Sequence, residues 1–348
     1  MAWDPGSKAA LRTPLGLMLH TGDLPYPEIV RYAQAAEASG YDQFLLTEES
    51  GKEAFSLLAL LAQGTERIAL GTGIVSFYTR TPTLLAMAAR SLFELSGGRF
   101  GPLGLGTGGI GFMSRGHGVP LDRPVGRARE TVEIVRSLLT ESRTTYPGRW
   151  FKVEDFHLRE GPLPAGSHLP IWLAALGPQM AKMSGKVADG LITNWLIPES
   201  LSEFRSLVRE GAESAGRDPA AVTIASLTMV CADPGDEDAV MAARRGVAFY
   251  CASLHYHHIA ELAGLGEEAR RVYAAWESRD FDGAAHLVSD HLLERFTLSG
   301  SDADSSARLR WMLDEGVVPI IYPLPRRSRM VEDHFLVLRR AAAWAGRG

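Results

Sequence analysis

Among 348 residues there are only two cysteines, Cys231 and Cys251. Two thiols cannot build a disulfide framework, and no metal-ligand spacing surrounds them, so they read as reduced and buried. No apolar run approaches the ~20 residues that a membrane-spanning helix needs. Positive charge is not in excess: 36 Lys and Arg stand against 41 Asp and Glu, a net of −5. Neither nucleic acid nor an anionic membrane is therefore expected as a partner. The opening residues MAWDPGSKAALRT (1–13) lack the hydrophobic segment of a signal peptide and read as a loose tail. What these absences leave is a cytoplasmic enzyme acting on a small molecule.

What the sequence does hold is a repeating unit: a short apolar run, a polar or glycine-rich loop, then an amphipathic helix. Strands are expected at 14–20 (PLGLMLH), 41–47 (YDQFLLT), 68–75 (IALGTGIV), 99–105 (RFGPLGL), 170–176 (PIWLAAL), 190–196 (GLITNWL), 222–231 and 317–322 (VVPIIY). Helices are expected at 27–39, 53–62, 82–95, 126–139 and 331–344. The 126–139 helix shows one apolar face through Ala128, Val132, Val135 and Leu139. Strands alternating with helices imply parallel neighbours joined by crossovers, and a count of eight favours a closed (β/α)8 TIM barrel. The rhythm breaks between the seventh and eighth strands. There, residues from about 235 to 316 carry helical spacing and form an expected helical insertion, including a helical stretch at 266–285. No linker isolates it, so 14–345 is expected to be one domain.

In such a barrel the site lies at the carboxyl ends of the strands. The residues that follow the strands are His20, Thr47-Glu48-Glu49-Ser50, the 73–76 and 104–109 segments, 174–178, and Thr193-Asn194-Trp195. His20, Glu48 and Glu49 are the catalytic candidates. A carboxyl group in an apolar barrel mouth has a raised pKa and can donate or accept a proton, and imidazole titrates near neutrality. Adjacent carboxylates diverge, so one can enter the site and the other not; the alternative is a solvated pair or a salt bridge to Arg80.

The run GLGTGG at 104–109 tempts a dinucleotide-fold reading. The glycines and prolines at 116, 118, 120 and 124 prevent the helix that reading requires. His255, His258 and Glu261 have the spacing of a helix-borne ligand set, but no second motif completes it, and no metal is expected. Tyr250, Tyr256, Tyr273 and Trp276 either roof the pocket or belong to the core.

Residues 67–109 (RIALGTGIVSFYTRTPTLLAMAARSLFELSGGRFGPLGLGTGG) resemble the third-to-fourth-strand core of luciferase-like flavin and deazaflavin oxidoreductases. Residues 170–195 (PIWLAALGPQMAKMSGKVADGLITNW) resemble the fifth and sixth strands of the same enzymes. Within the insertion, AAWESRDFDGAA and SGSDADSSARLRWMLDEGV resemble the branch related to methylenetetrahydromethanopterin reductase. That branch implies coenzyme F420 as cofactor; FMN with monooxygenase chemistry is the alternative, and a flavin-binding barrel without turnover is a third reading.

The resemblance implies a cofactor-backing bulge at Gly73, Ile74 and Val75, with a non-proline cis peptide at Gly73–Ile74. It implies a cofactor groove flanked by Gly106, Thr107 and Gly108, and a tail site at Ala175, Leu176, Gly177 and Pro178, where backbone amides open a helix. Thr193 and Asn194 would lie near that tail, His117 near cofactor or substrate, and the chain would form a homodimer. Where deazaflavin members place an acid followed by histidine after the second strand, this chain has Glu48 followed by Glu49.

Overall fold

Inward and outward side chains alternate along a strand, so a buried strand with two dry faces reads as a continuous apolar run. The runs above are of that kind. In the structure, a computed structural model describing residues 12–109 and 112–347, the chain begins β1 (Gly16–His20), α1 (Tyr26–Ala38), β2 (Gln43–Thr47), α2 (Ala54–Gly64), β3 (Ala69–Ser76), α3 (Pro82–Leu95) and β4 (Phe100–Gly106). After a short π-helix (Phe112–Gly116) come α4 (Pro124–Glu141), β5 (Arg143–Pro147), β6 (Lys152–His157), β7 (Ile171–Ala174), α5 (Pro178–Val187), β8 (Gly190–Asn194), α6 (Pro198–Ser214) and β9 (Thr223–Cys231). The last part holds α7 (Glu237–Cys251), α8 (His257–Leu262), α9 (Gly266–Glu277), α10 (Phe281–His286), α11 (Asp290–Phe296), β10 (Thr297–Leu298), α12 (Asp302–Asp314), β11 (Val318–Leu324) and α13 (Met330–Trp344).

Eight strands close a parallel barrel in the order β1-β2-β3-β4-β7-β8-β9-β11, and β11 pairs back onto β1. The barrel interior is filled by Met18, Leu45, Trp172, Ile192, Ala225, Val318 and Ile320. Their neighbours Leu17, Leu19, Phe44, Leu46 and Ile321 face outward and build the core beneath the helices. Moving two residues up the same strands from Met18, Leu45, Ala225 and Ile320 reaches His20, Thr47, Leu227 and Tyr322. Alternation therefore lifts these four to the barrel mouth.

Strands β3 and β4 touch closely where their register shifts. A Cβ on Gly104 would stand 2.0 Å from the Thr72 carbonyl oxygen, and the Thr72 hydroxyl exchanges two 2.8 Å hydrogen bonds with the Gly104 backbone. Only glycine permits that approach.

The expected apolar face of α4 (Ala128, Val132, Val135, Leu139) is buried. Between α4 and β7, a span given no element above, β5 and β6 form an antiparallel hairpin outside the barrel. The expected helical stretch at 266–285 is two helices. Arg279 has φ of 65°, and the Asp280 side chain caps the second by accepting from the Gly283 amide. Strand β7 stops at Ala174, leaving Ala175 and Leu176 in the turn before α5. Helix α7 packs on β9 and β11 and carries α9 and α10, so the insertion sits over the mouth side of the barrel. Of the expected tail, residues 1–11 lie outside the described residues. No helix among the described residues is long and apolar enough to cross a membrane.

Candidate active site

The mouth residues face a cavity of about 1070 Å³. Its floor includes Met18, His20, Asp23, Thr47, Glu49, Gly73 and Tyr322; Phe249, Tyr250, Trp276 and Phe281 of the insertion wall it from above. The aromatic wall is continuous: Trp276 meets Phe281 at 4.7 Å and Phe249 at 5.9 Å between ring centroids, and Phe249 meets Tyr250 at 5.4 Å.

At the floor, His20 lies between two carboxylates. Its Nδ1 is 3.5 Å from Asp23 Oδ1 and its Nε2 is 3.6 Å from Glu49 Oε2. Hydrogen bonding to Asp23 and then Glu49 outweighs burial and pushes the imidazole up to about 9. The Gly22 amide also points at Nδ1 from 3.1 Å, an arrangement that suits the neutral ring with its proton on Nε2. The two flanking carboxylates favour the imidazolium against that amide. Burial alone would raise Asp23, but hydrogen bonding from His20 and His334 overrides it and holds the carboxyl at about 2. Tyr322, also at the floor, is pushed up by burial and by the charges of Asp23 and Glu49.

Glu48 points elsewhere. Arg80 clamps its carboxylate with two bonds of 2.6 and 3.0 Å, and the Ala54 amide at the start of α2 donates to it at 2.7 Å. The two glutamates thus divide as adjacent residues must: Glu49 enters the cavity and Glu48 anchors α2 and Arg80. His117, exposed, has Nε2 3.3 Å from the Glu49 carbonyl oxygen, so the loop after β4 touches the loop after β2.

The peptide between Gly73 and Ile74 is cis, as the sequence led us to expect, and Gly73 borders the cavity. A model of luciferase-like monooxygenases matches residues 9–317. The chain belongs to the luciferase-like monooxygenase family. A 5,10-methylenetetrahydromethanopterin reductase of Methanolobus tindarius is 31% identical over 304 residues, covering 86% of this chain and 91% of the relative. In fold, the chain matches the coenzyme F420 dependent tetrahydromethanopterin reductase from Methanopyrus kandleri with a TM-score of 0.81 at 24% identity, covering 95% of this chain and 98% of the other. It matches an F420-dependent secondary alcohol dehydrogenase, solved with an F420–acetone adduct, with a TM-score of 0.75 at 20% identity and coverage of 95% and 99%. This luciferase-like chain is an oxidoreductase.

Of the other residues singled out in this luciferase-like chain for the cofactor, only Gly73 lines that cavity; the rest lie at strand ends outside its lining. Ile74 packs on the barrel-interior layer, while Val75 is wholly buried in the core beneath the helices and does not face the cavity. Gly106 lies against Ile74: a Cβ there would be 2.9 Å from the isoleucine Cγ1. Thr107 accepts from the Ser76 hydroxyl at 2.9 Å through its carbonyl, and Gly108 adopts φ of 74°. Ala175 is buried, its amide donating to the Ile192 carbonyl at 2.9 Å, and Leu176 packs on the core beside the insertion. Gly177 precedes Pro178 at the start of α5, with no side chain capping that end and open space where a Cβ would be.

Thr193 and Asn194 are buried. Asn194 accepts from the Trp195 amide at 2.8 Å and donates to the Tyr256 hydroxyl at 3.3 Å, tying β8 to the insertion. The histidines of the HYHH run serve the helices around them: His258 meets Glu203 at 3.0 Å, and Glu261 meets Arg270 at 2.8 Å.

Sequence reasoning passed over Asp23, His334 and Tyr322. Tyr322 had a signal, since it ends the eighth strand on the inward register. Asp23, three residues beyond β1, had a weak one. His334, on α13, had none.

Proposed function

We propose that this chain is a coenzyme F420-dependent oxidoreductase that exchanges a hydride with a small organic substrate at the barrel mouth. The observation that carries the reading is His20 held between Glu49 and Asp23, on the floor of a cavity that also exposes Gly73. The names of the methanopterin reductase relative and of the two F420-dependent structures support the choice of cofactor.

The residues present fit such a group. The cavity, about 1070 Å³, stands at the upper end of the roughly 300–1,000 Å³ of small-ligand pockets, which suits a large tricyclic ring. The uncapped start of α5 leaves backbone amides free for an anionic tail. Gly73 and Ile74 would back the ring, with Gly106 supporting Ile74. Thr107, Gly108, Gly177 and Pro178 would hold the tail, with Thr193 and Asn194 beside it. When bound, the deazaflavin supplies or accepts the hydride. The protein manages the proton. His20 holds it on Nε2, Glu49 aims that N–H, and Asp23 keeps the ring charged until the substrate heteroatom takes the proton. Phe249, Tyr250, Trp276 and Phe281 exclude water above the reacting atoms.

Equilibrium binding of F420 and of FMN to the purified protein, each oxidised and reduced and followed by fluorescence, tests this directly. Micromolar or tighter binding of the deazaflavin in preference to FMN is expected. Preference for FMN, or binding of neither, would overturn the reading.

A further inference from the structure

Behind His20, the Asp23 carboxylate lies between two imidazoles from opposite ends of the chain. One oxygen faces His20; the other, Oδ2, is 3.5 Å from Nε2 of His334. His334 is fully buried in the first turn of α13, with Nδ1 2.7 Å from the Met330 carbonyl oxygen. A carbonyl only accepts, so that contact places a proton on Nδ1. Nε2 then faces Asp23 Oδ2 from 3.5 Å and has no hydrogen-bond partner among the described residues. The ring cannot turn away easily: Tyr32 packs edge-on against it at 5.4 Å between centroids. An ionised carboxylate accepts only, so the Nε2–Asp23 contact is attractive when a further proton lies between the two groups.

We propose that His334 is a positioning residue for His20, acting through Asp23: by engaging Oδ2 it fixes the carboxylate so that Oδ1 is presented to the His20 ring. The inference rests on the reading of His20 as the proton donor of this site. Without His334, Oδ2 of Asp23 would lose the group that faces it, the carboxylate would be free to rotate, and its hold on His20 would weaken. Other titratable groups lie around this array, and Asp238, Arg245, Asp282, Arg326 and Arg327 line the same cavity. Glu49 faces His20 from the loop after β2, and Tyr322 from β11 senses both Asp23 and Glu49. Tyr250 and Tyr256 of the insertion sense Glu49. Tyr32 on α1 senses Asp23. Lys52 is turned to the Thr21 and Leu24 carbonyls.

The test is the histidine titration of the protein without cofactor or substrate, read by NMR on 15N-histidine-labelled protein, so it is independent of whether F420 or FMN binds. In the unsubstituted protein His20 should titrate near 9, and the His334 ring nitrogens should shift in step with it. In His334→Phe, which keeps a ring against Tyr32 but offers Asp23 no donor, the His20 midpoint should fall to about 8 or lower. In His334→Gln, whose amide can still donate to Asp23, most of the original midpoint should return. An unchanged or raised midpoint in His334→Phe would overturn the proposal. If that variant does not fold, His334 signals that stay flat through the His20 transition would overturn it equally.

Discussion

Asp23 and Asp189 make a matched pair at opposite ends of the barrel. Both are largely buried, burial pushes both upward, and in both the partners win and hold the carboxyl at about 2. Asp189 precedes β8 at the amino end of the strands. It is met by His168 at 3.4 Å, by Arg136 and the Ile171 amide at 2.8 Å each, and by Arg217 at 3.8 Å. Two of its partners are guanidinium groups that never lose their charge. Asp23 is met by two imidazoles, which do. The space beside each differs as well: a cavity of about 180 Å³ adjoins Arg136 and His168, whereas about 1070 Å³ opens above His20. A depressed carboxyl pKa therefore does not distinguish a structural clamp from a site. The partners' own chemistry and the room in front of them do.

The largest expected effect comes from breaking the site end. His20→Gln should lower turnover by about 100-fold or more, the range for a lost general acid, while costing roughly 1–2 kcal/mol of stability at neutral pH. A loss of less than about tenfold in single-turnover kinetics would remove His20 from the proton role. Next is the structural end. Asp189→Asn strips charge-assisted bonds from Arg136 and from the backbone before β7, and should cost about 2–3 kcal/mol in urea unfolding. Cofactor affinity of the folded protein should not change; a weakened affinity would mean that the two ends are coupled.

The smallest effect sharpens the contrast by pH. His20 is raised from 6.5 to about 9, so its stabilisation is complete below 6.5 and is lost as pH rises through about 9. Asp23 and Asp189 are lowered from 3.8 to about 2, so theirs is present above 3.8 and is lost as pH falls toward 2. Between pH 7 and 10 the protein should lose roughly 1–2 kcal/mol, allowing for the partial exposure of the His20 ring. That alkaline loss should vanish in His20→Gln and persist in Asp189→Asn, as urea midpoints at the two pH values would reveal.

Much of this was legible in the chain. All eight barrel strands announce themselves because both of their faces are dry, and the inward register carries His20 and Tyr322 to the mouth without further information. Glu49 was legible as one of two candidates; that the two glutamates diverge follows from the opposed directions of neighbours, but which of them enters the cavity does not. The β5–β6 hairpin was not legible, because its strands are mostly exposed and polar (RTTYP and KVEDFH) and lack an apolar rhythm. His334 was invisible for a different reason. It shares a helix with ordinary core residues, and its meeting with Asp23 spans more than three hundred positions that only barrel closure brings together.

The cavity's two halves also come from different kinds of sequence. Its floor is gathered from β1, β2, β3 and β11, scattered over the whole chain, whereas the aromatic wall comes from the single stretch between Phe249 and Phe281. Such a division makes the protein modular in the sense that matters for diversification. One contiguous cassette can be exchanged, lengthened or reshaped to admit a different molecule, while the His20 group on the floor stays as it is.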